Sequence, residues 1–254
     1  MDLTRVQKID EYYFKRDDDY TIGDAIGGKA RVAKHLVEKA IEEGFTKVVT
    51  TGSRDSRQCD IVSSVCDYYN IECHLFMPSG KDTDVIRSIQ NRKTSVIHRT
   101  KVGYNSVLMS HSKKWAEDNN AYYIPFGMES QECIDINMHQ VQNIPDNISR
   151  IVIPCGGGMQ MISVIKGLKH YGMEHIKVVG VQVGANPQRV IDRFLPSMDL
   201  FGDTYNYEIA KSNIPYDKHV DGHFCGIELD PIYEAKCIPF MQKGDLLWIV
   251  GKRL

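Results

Sequence analysis

"SRIVIPCGGGMQMISVIKGLKHYG", residues 149–172, decides the fold. The apolar run from Ile151 to Cys155 reads as a strand buried on both faces. Three glycines stop it, and a helical stretch follows from Met159. A strand passing through a glycine turn into a helix is the building unit of a parallel α/β sheet. Gly156, Gly157 and Gly158 permit positive φ and let backbone N–H groups approach an anion closely, while the amino end of the helix adds favourable partial charge. The plain alternative is a tight turn without a ligand. A turn needs fewer than three glycines, however, and each costs up to about 1 kcal/mol of chain entropy. The spacing is neither G-x-G-x-x-G nor G-x-x-x-x-G-K-[ST], so it reports neither a dinucleotide nor a nucleoside triphosphate. A smaller phosphate is the better reading.

The same alternation extends on both sides. "KVVTTG" (47–52), "ECHLFMP" (72–78), "TSVIHR" (94–99), "AYYIPFG" (121–127) and "KVVGVQV" (177–183) read as strands. Helical stretches lie between them at 55–70, 83–92, 104–120 and near 130–144. Proline and glycine cluster at 184–222, which reads as a long irregular excursion. The expected class is α/β with parallel sheets in two domains. A larger domain covers 1–45 and 127–254, and a smaller inserted one covers 46–126.

Composition narrows the function classes. Hydrophobic content of 42% and charged content of 25% are ordinary for a globular chain. A net charge of −2 gives no global field for nucleic acid. No apolar run reaches membrane-spanning length, and "MDLTRVQKIDEYYFKRDDD" lacks the apolar core of a secretory signal. The seven cysteines make no C-x-x-C pair, which suits thiols in a reducing cytoplasm. "HVDGH" (219–223) spaces two histidines like helix ligands, but Asp221 and Gly222 make it a loop, and no metal is expected.

"DAIGGKARVAKHL" (24–36) puts Lys29 at the head of a helix, where the dipole disfavours a cation. Either the lysine points into water, or a site holds it as a nucleophile. A lysine after an early glycine turn, with a glycine phosphate loop much later, resembles the tryptophan-synthase-β-like (fold type II) pyridoxal-phosphate enzymes. The chain is most similar to the branch holding 1-aminocyclopropane-1-carboxylate deaminase and D-cysteine desulfhydrase. The similarity runs from about residue 12 to the C-terminus. "YYFKRDDDYTIGDAIGGKAR", "VVTTGSRDSRQ", "IVIPCGGG" and "GIELDPIYEAK" (226–236) resemble four segments of that branch, in its order.

The resemblance implies that Lys29 carries pyridoxal 5'-phosphate covalently and that Ser56 touches the substrate, through its carboxylate or a proton relay. It also implies that Gly156, Gly157, Gly158 and the adjoining Met159 clamp the phosphate. A homodimer is the family expectation. Two segments depart from the pattern. Arg57 stands where the family has the asparagine that bonds the cofactor ring oxygen, and Gln58 replaces a histidine. The C-terminal "LLWIVGKRL" offers only Val250 and Gly251 where the family presents a group to the pyridine nitrogen, so no acid is expected there.

The implied function is a cytoplasmic pyridoxal-phosphate enzyme acting on a small amino acid, by deamination or β-elimination or replacement. One alternative is an amino-acid transferase acting on a modified pyrimidine in viral DNA. Another is a binding protein that keeps the fold without chemistry. For the DNA reading, the basic run at 87–101, with Arg87, Arg92, Lys93, Arg99 and Lys101, would form a polyanion rim; the bland reading is a solvated face. Tyr205, Tyr207, Tyr216 and Tyr233 fall in the segment that closes over the cofactor in the family. Lys15 and Arg16 read as surface or domain-contact residues.

Overall fold

A computed structural model describes residues 3–101, 103–195 and 205–252. The chain forms two compact units, one of Met1–Tyr20 with Ser130–Leu254 and one of Thr21–Glu129. The chain opens in the larger unit with β1 (Val6–Ile9) and β2 (Tyr12–Arg16), an antiparallel pair.

The smaller unit begins with a two-residue ladder of β3 (Thr21–Ile22) and β4 (Ala25–Ile26). It continues through α1 (Gly28–Glu42), β5 (Lys47–Thr51), α2 (Arg57–Tyr68), β6 (Glu72–Pro78), α3 (Asp84–Gln90), β7 (Ser95–Thr100), α4 (Asn105–Asn119) and β8 (Tyr122–Tyr123). The four longer-range strands form a parallel sheet in the order β7-β6-β5-β8. Val48 and Val49, and then Cys73, Leu75 and Met77, are fully buried. That double-sided burial is why these strands read as continuous apolar runs. Val32, Ala33, Leu36, Val37 and Ala40 form the buried stripe of α1. α1 packs against α2, and the Asp24 N–H donates to Ser64 Oγ at 3.0 Å. Residues 21–45 therefore fold with the smaller unit, whereas the sequence reading assigned them to the larger one; the apolar stripe of α1 is satisfied by α2.

The larger unit continues with α5 (Gln131–Met138), β9 (Arg150–Cys155), α6 (Met159–His170), β10 (Lys177–Gln182), α7 (Gln188–Phe194), β11 (Tyr207–Lys211), the hairpin strands β12 (His223–Phe224) and β13 (Ile227–Glu228), and β14 (Leu246–Ile249). Its sheet runs β1-β2-β14-β9-β10-β11, parallel except for β1 against β2. Phe14, Val152, Val179, Val181, Leu247 and Ile249 form the core on one face, with Ile227, Leu229 and Cys237 packed on them. Two elements lie inside the expected irregular excursion. α7 is short, and β11 is a mixed-polarity edge strand, which apolar-run reading passes over. His223 sits on β12, not a helix, and its Nδ1 bonds Asp221 Oδ1 at 2.8 Å. Among the described residues, no helix is long and apolar enough to cross a membrane.

Lys15 is not a surface residue; it is fully buried. Its Nζ donates to the Thr4 carbonyl and to Asn143 Oδ1, both at 2.7 Å, and lies over the Trp248 ring. The buried Asp17 accepts the Trp248 indole N–H at 2.9 Å and the Thr4 hydroxyl at 2.8 Å. This polar network ties β2 to β14. Asp17→Ala would leave buried donors without an acceptor and should destabilise the larger unit by roughly 3 kcal/mol. Urea unfolding followed by Trp248 fluorescence measures this; an unchanged midpoint would refute it.

Candidate active site

Lys29 and Ser56 lie in the smaller unit. Gly27 precedes α1 at φ 99°, and its carbonyl accepts the Ala30 N–H at 2.9 Å. A positive φ of this kind suits glycine. Lys29 is exposed in the first turn, between buried Gly28 and Ala30, and Arg31 is buried. Ser56 caps α2: its Oγ accepts the Cys59 N–H at 3.3 Å, a bond that leaves the hydroxyl proton available to donate. Gly52, just past β5, makes room for it, since a Cβ there would sit 2.3 Å from Ser56 Oγ and 2.9 Å from Cys59 Sγ. Burial pushes the Cys59 thiol up to about 12, against the Ser56 hydrogen bond and the Lys29 charge, which pull the other way. Lys29 and Ser56 thus act on one thiol, near the carboxyl end of β5, where parallel sheets bind ligands.

The two departures after Ser56 have separate fates. Arg57 donates from Nη1 to Asp60 Oδ2 at 2.8 Å. Asp60 is buried, and its Oδ1 accepts from Arg92 Nη1 at 2.8 Å and from Ser88 at 3.0 Å. Gln58 is buried and structural, with its amide donating to Thr50 Oγ1 and to the Pro125 carbonyl. The basic run at 87–101 is not one rim. Arg92 is buried on Asp60, Arg87 pairs with Asp84, and Arg99 pairs with Asp82.

The larger unit carries the glycine loop. Gly158 caps α6 at φ 91°, with no side-chain cap to compete for the first-turn N–H groups. A Cβ on Gly156 would come within 3.2 Å of the Tyr233 ring, whereas nothing lies within 4 Å of one on Gly157. Met159 is buried behind the loop. With no hydroxyl residue in 156–159, every donor of the loop itself is backbone. Tyr233 and Tyr216 meet beside it, hydroxyl to hydroxyl at 3.2 Å. The buried Lys236 fixes that neighbourhood by donating to the Pro215 and Tyr216 carbonyls at 2.7 and 2.9 Å. Tyr205 and Tyr207 are elsewhere, at the Lys169 ammonium and on β11.

One residue bears on the expectation at Val250 and Gly251. Glu234 is fully buried, and its Oε1 accepts the Val250 N–H at 2.8 Å. Its Oε2 is buried with no hydrogen-bond partner. Burial, helped by the Asp230 charge, raises the carboxyl to about 8, against backbone hydrogen bonds that lower it. Val250 and Gly251, read as offering no acid, therefore stand against one. The signal available in the sequence was an acid inside the largely apolar "PIYEAKCIPF".

A family model described as "Pyridoxal-phosphate dependent enzyme" matches residues 3–197. Over 100 residues, 35% of this chain and 23% of the other, the sequence is 33% identical to a Salmonella phage ViI protein named O-seryl-dTMP PLP-dependent decarboxylase. Over 264 residues, 89% of this chain and 65% of the other, it is 23% identical to the mitochondrial bifunctional D-cysteine desulfhydrase/1-aminocyclopropane-1-carboxylate deaminase of Arabidopsis thaliana. The chain spans less than two thirds of the length of either relative. Its fold is similar to the crystal structure of an ACC deaminase homologue, at TM-score 0.81 and 19% identity over 98% of this chain and 89% of that one. Maize serine racemase matches at TM-score 0.67 and 14% identity, over 99% and 88%. The expected fold type II architecture holds.

The Glu234 titration gives a test. Its folded value lies above the ordinary carboxylate value of 4.5, so the stability it contributes is full below about pH 4.5 and is lost as pH rises through about 8. The ligand-free wild type should lose a few kcal/mol more than Glu234→Gln between those limits, read from urea midpoints. Parallel pH profiles for the two proteins would refute the assignment.

Proposed function

The chain belongs to the pyridoxal-phosphate dependent enzymes, and from that premise we propose that it acts on a small amino acid, by deamination or by β-elimination or replacement. The observation that carries this reading is the buried Glu234 carboxyl, with one oxygen on the Val250 N–H and the other without a partner. Such an oxygen fits a ring nitrogen, and the open glycine loop of the same unit fits a phosphate, so the residues present suit the cofactor. When bound, the cofactor supplies an electron-withdrawing ring that takes up the electron pair left at the substrate α-carbon.

The rest falls to the protein. Lys29 Nζ would be the attachment point, and its amine would move the α-proton. Ser56 Oγ stays on the α2 cap and donates its proton to the substrate carboxylate or relays one. Backbone N–H groups of 156–159 hold the phosphate at the positive end of α6. Glu234 Oε2 would hold a proton toward the ring nitrogen, and the Tyr216–Tyr233 hydroxyl pair would hand on a proton beside the loop. Arg57, steadied by Asp60, completes the proposed cofactor contacts. The proposed setting is a reducing cytoplasm, which suits the buried free thiols of Cys59, Cys66, Cys73, Cys133, Cys155 and Cys237.

A second reading rests on the phage relative, whose name specifies a thymidine nucleotide bearing a serine. On it, the substrate amino acid is attached to a pyrimidine nucleotide. The pairing of Arg87, Arg92 and Arg99 with acids of their own unit weakens the version that grips duplex DNA through 87–101. The reading of a binding protein without chemistry rested on the missing acid, and the role proposed for Glu234 argues against it.

The purified protein should bind pyridoxal phosphate with visible absorbance, and single amino acids should change that spectrum and release ammonia or an oxo acid. Lys29→Ala should lose the absorbance and the borohydride-fixed adduct; an adduct on another lysine would refute the assignment. Gly157 has open space and no positive φ requirement, so Gly157→Asp should fold normally and weaken cofactor binding by at least about tenfold, through charge repulsion at the phosphate. Unchanged affinity would remove the loop from the site. Ser56→Asn keeps a capping oxygen and should hold stability and spectrum while losing turnover, whereas Ser56→Ala should also lose about 1 kcal/mol of stability. Full turnover by Ser56→Asn would leave Ser56 as a cap alone.

A further inference from the structure

The smaller unit holds a cluster of titratable rings that the proposed chemistry does not use. Glu72 and His74 are two residues apart on β6 and so share a face of the sheet. His98 reaches them from β7, where it pairs with Phe76 and stacks on its ring at 4.4 Å. His74 Nε2 lies 2.8 Å from Glu72 Oε1, and His74 Nδ1 lies 2.9 Å from His98 Nε2. α4 adds Trp115, whose ring centroid is 4.0 Å from that of His74 and 5.3 Å from that of His98. His74 is buried, although its chain of hydrogen bonds ends on the exposed Glu72.

One placement of protons satisfies every contact, assigned from the hydrogen-bond network. His74 donates Nε2–H to Glu72 and accepts at Nδ1 from His98 Nε2–H, with both rings neutral. A proton added to His74 Nδ1 faces the His98 N–H, and fits only if His98 moves its own proton to Nδ1. A second proton sets two N–H groups and two positive charges 2.9 Å apart with no acceptor between them. Of the surrounding charges, Glu72 on β6 favours a charged His74 and Lys47 on β5 opposes it, while His74 itself opposes a charged His98. α4 contributes the Trp115 ring, and its His111, Lys113, Lys114, Glu117 and Asp118 are exposed. Burial is the largest influence on both imidazoles and holds them below the ordinary histidine value.

We propose that Glu72, His74, His98 and Trp115 form a proton-operated latch: the neutral chain seats α4 on the sheet of the smaller unit, and mild acid loosens it. Both folded values lie below 6.5, so the contribution is present above about pH 6.5 and is lost as pH falls from there through the folded values.

The full chain serves for the test. In wild type, the unfolding constant of the transition seen by Trp115 should rise by about tenfold or more between about pH 7.5 and 5.5. That transition is isolated in a Trp248→Phe background, and the rise should be absent from the His74→Gln/His98→Gln double variant. Histidine ring NMR of the unmodified chain gives a second measurement that needs no variant to fold. His74 and His98 should titrate below about 6.5, and Glu72→Gln should move His74 lower still. Titration of both rings at or above about 6.5, or equal acid sensitivity in wild type and the double variant, would overturn the latch.

Discussion

Glu234 accepts the Val250 N–H through Oε1 and keeps Oε2 buried without a partner. A carboxyl in that state is under two opposed demands. Desolvation favours the protonated form, and the unsatisfied oxygen favours any donor or acceptor that can reach it. The fold resolves half of this by placing the end of β14 where the Val250 N–H meets the acid. That placement rests on the strand order β2-β14-β9, and behind it on the buried Lys15, Asp17 and Trp248 that fix β14 beside β2. On the other side, Asp230 Oδ1 accepts the N–H groups of Ile232 and Tyr233 and shapes the turn that delivers Glu234. The remaining half of the demand is what a ring nitrogen would meet.

The glycine loop obeys a related constraint. Gly156 leaves room for the Tyr233 ring, Gly158 takes a left-handed conformation, and Gly157 faces open space. Only the first two are required by the protein's own packing. Gly157 gains nothing from its neighbours, which is the pattern expected where a backbone must stay bare for a ligand.

Much of this was legible in the sequence. Strands buried on both faces appear as apolar runs, so the parallel sheets, the loop at 156–158 and the position of Lys29 at a helix start could all be read directly. What escaped depends on contacts distant in sequence. Glu234 and Val250 are joined through a backbone N–H, which leaves no trace in residue type at Val250. Lys15 and Arg92 read as surface charges because lysine and arginine are rarely buried; here Thr4, Asn143 and Asp60 supply the acceptors that make burial tolerable. Residues 21–45 looked continuous with the larger unit until α2 was seen to cover the apolar stripe of α1. Ser56 matched a substrate-contacting serine by resemblance, and its capping of α2 adds a structural role that explains why a hydroxyl residue also suits that position.

The most direct test of the account is the nitrogen-15 chemical shift of pyridoxal phosphate labelled at its ring nitrogen and bound to the protein. With Glu234 beside that nitrogen, the shift should be that of a protonated or strongly hydrogen-bonded ring in wild type and should move toward the free-base value in Glu234→Gln. Identical shifts in the two proteins, with the cofactor bound in both, would contradict the assignment of Glu234 to the cofactor.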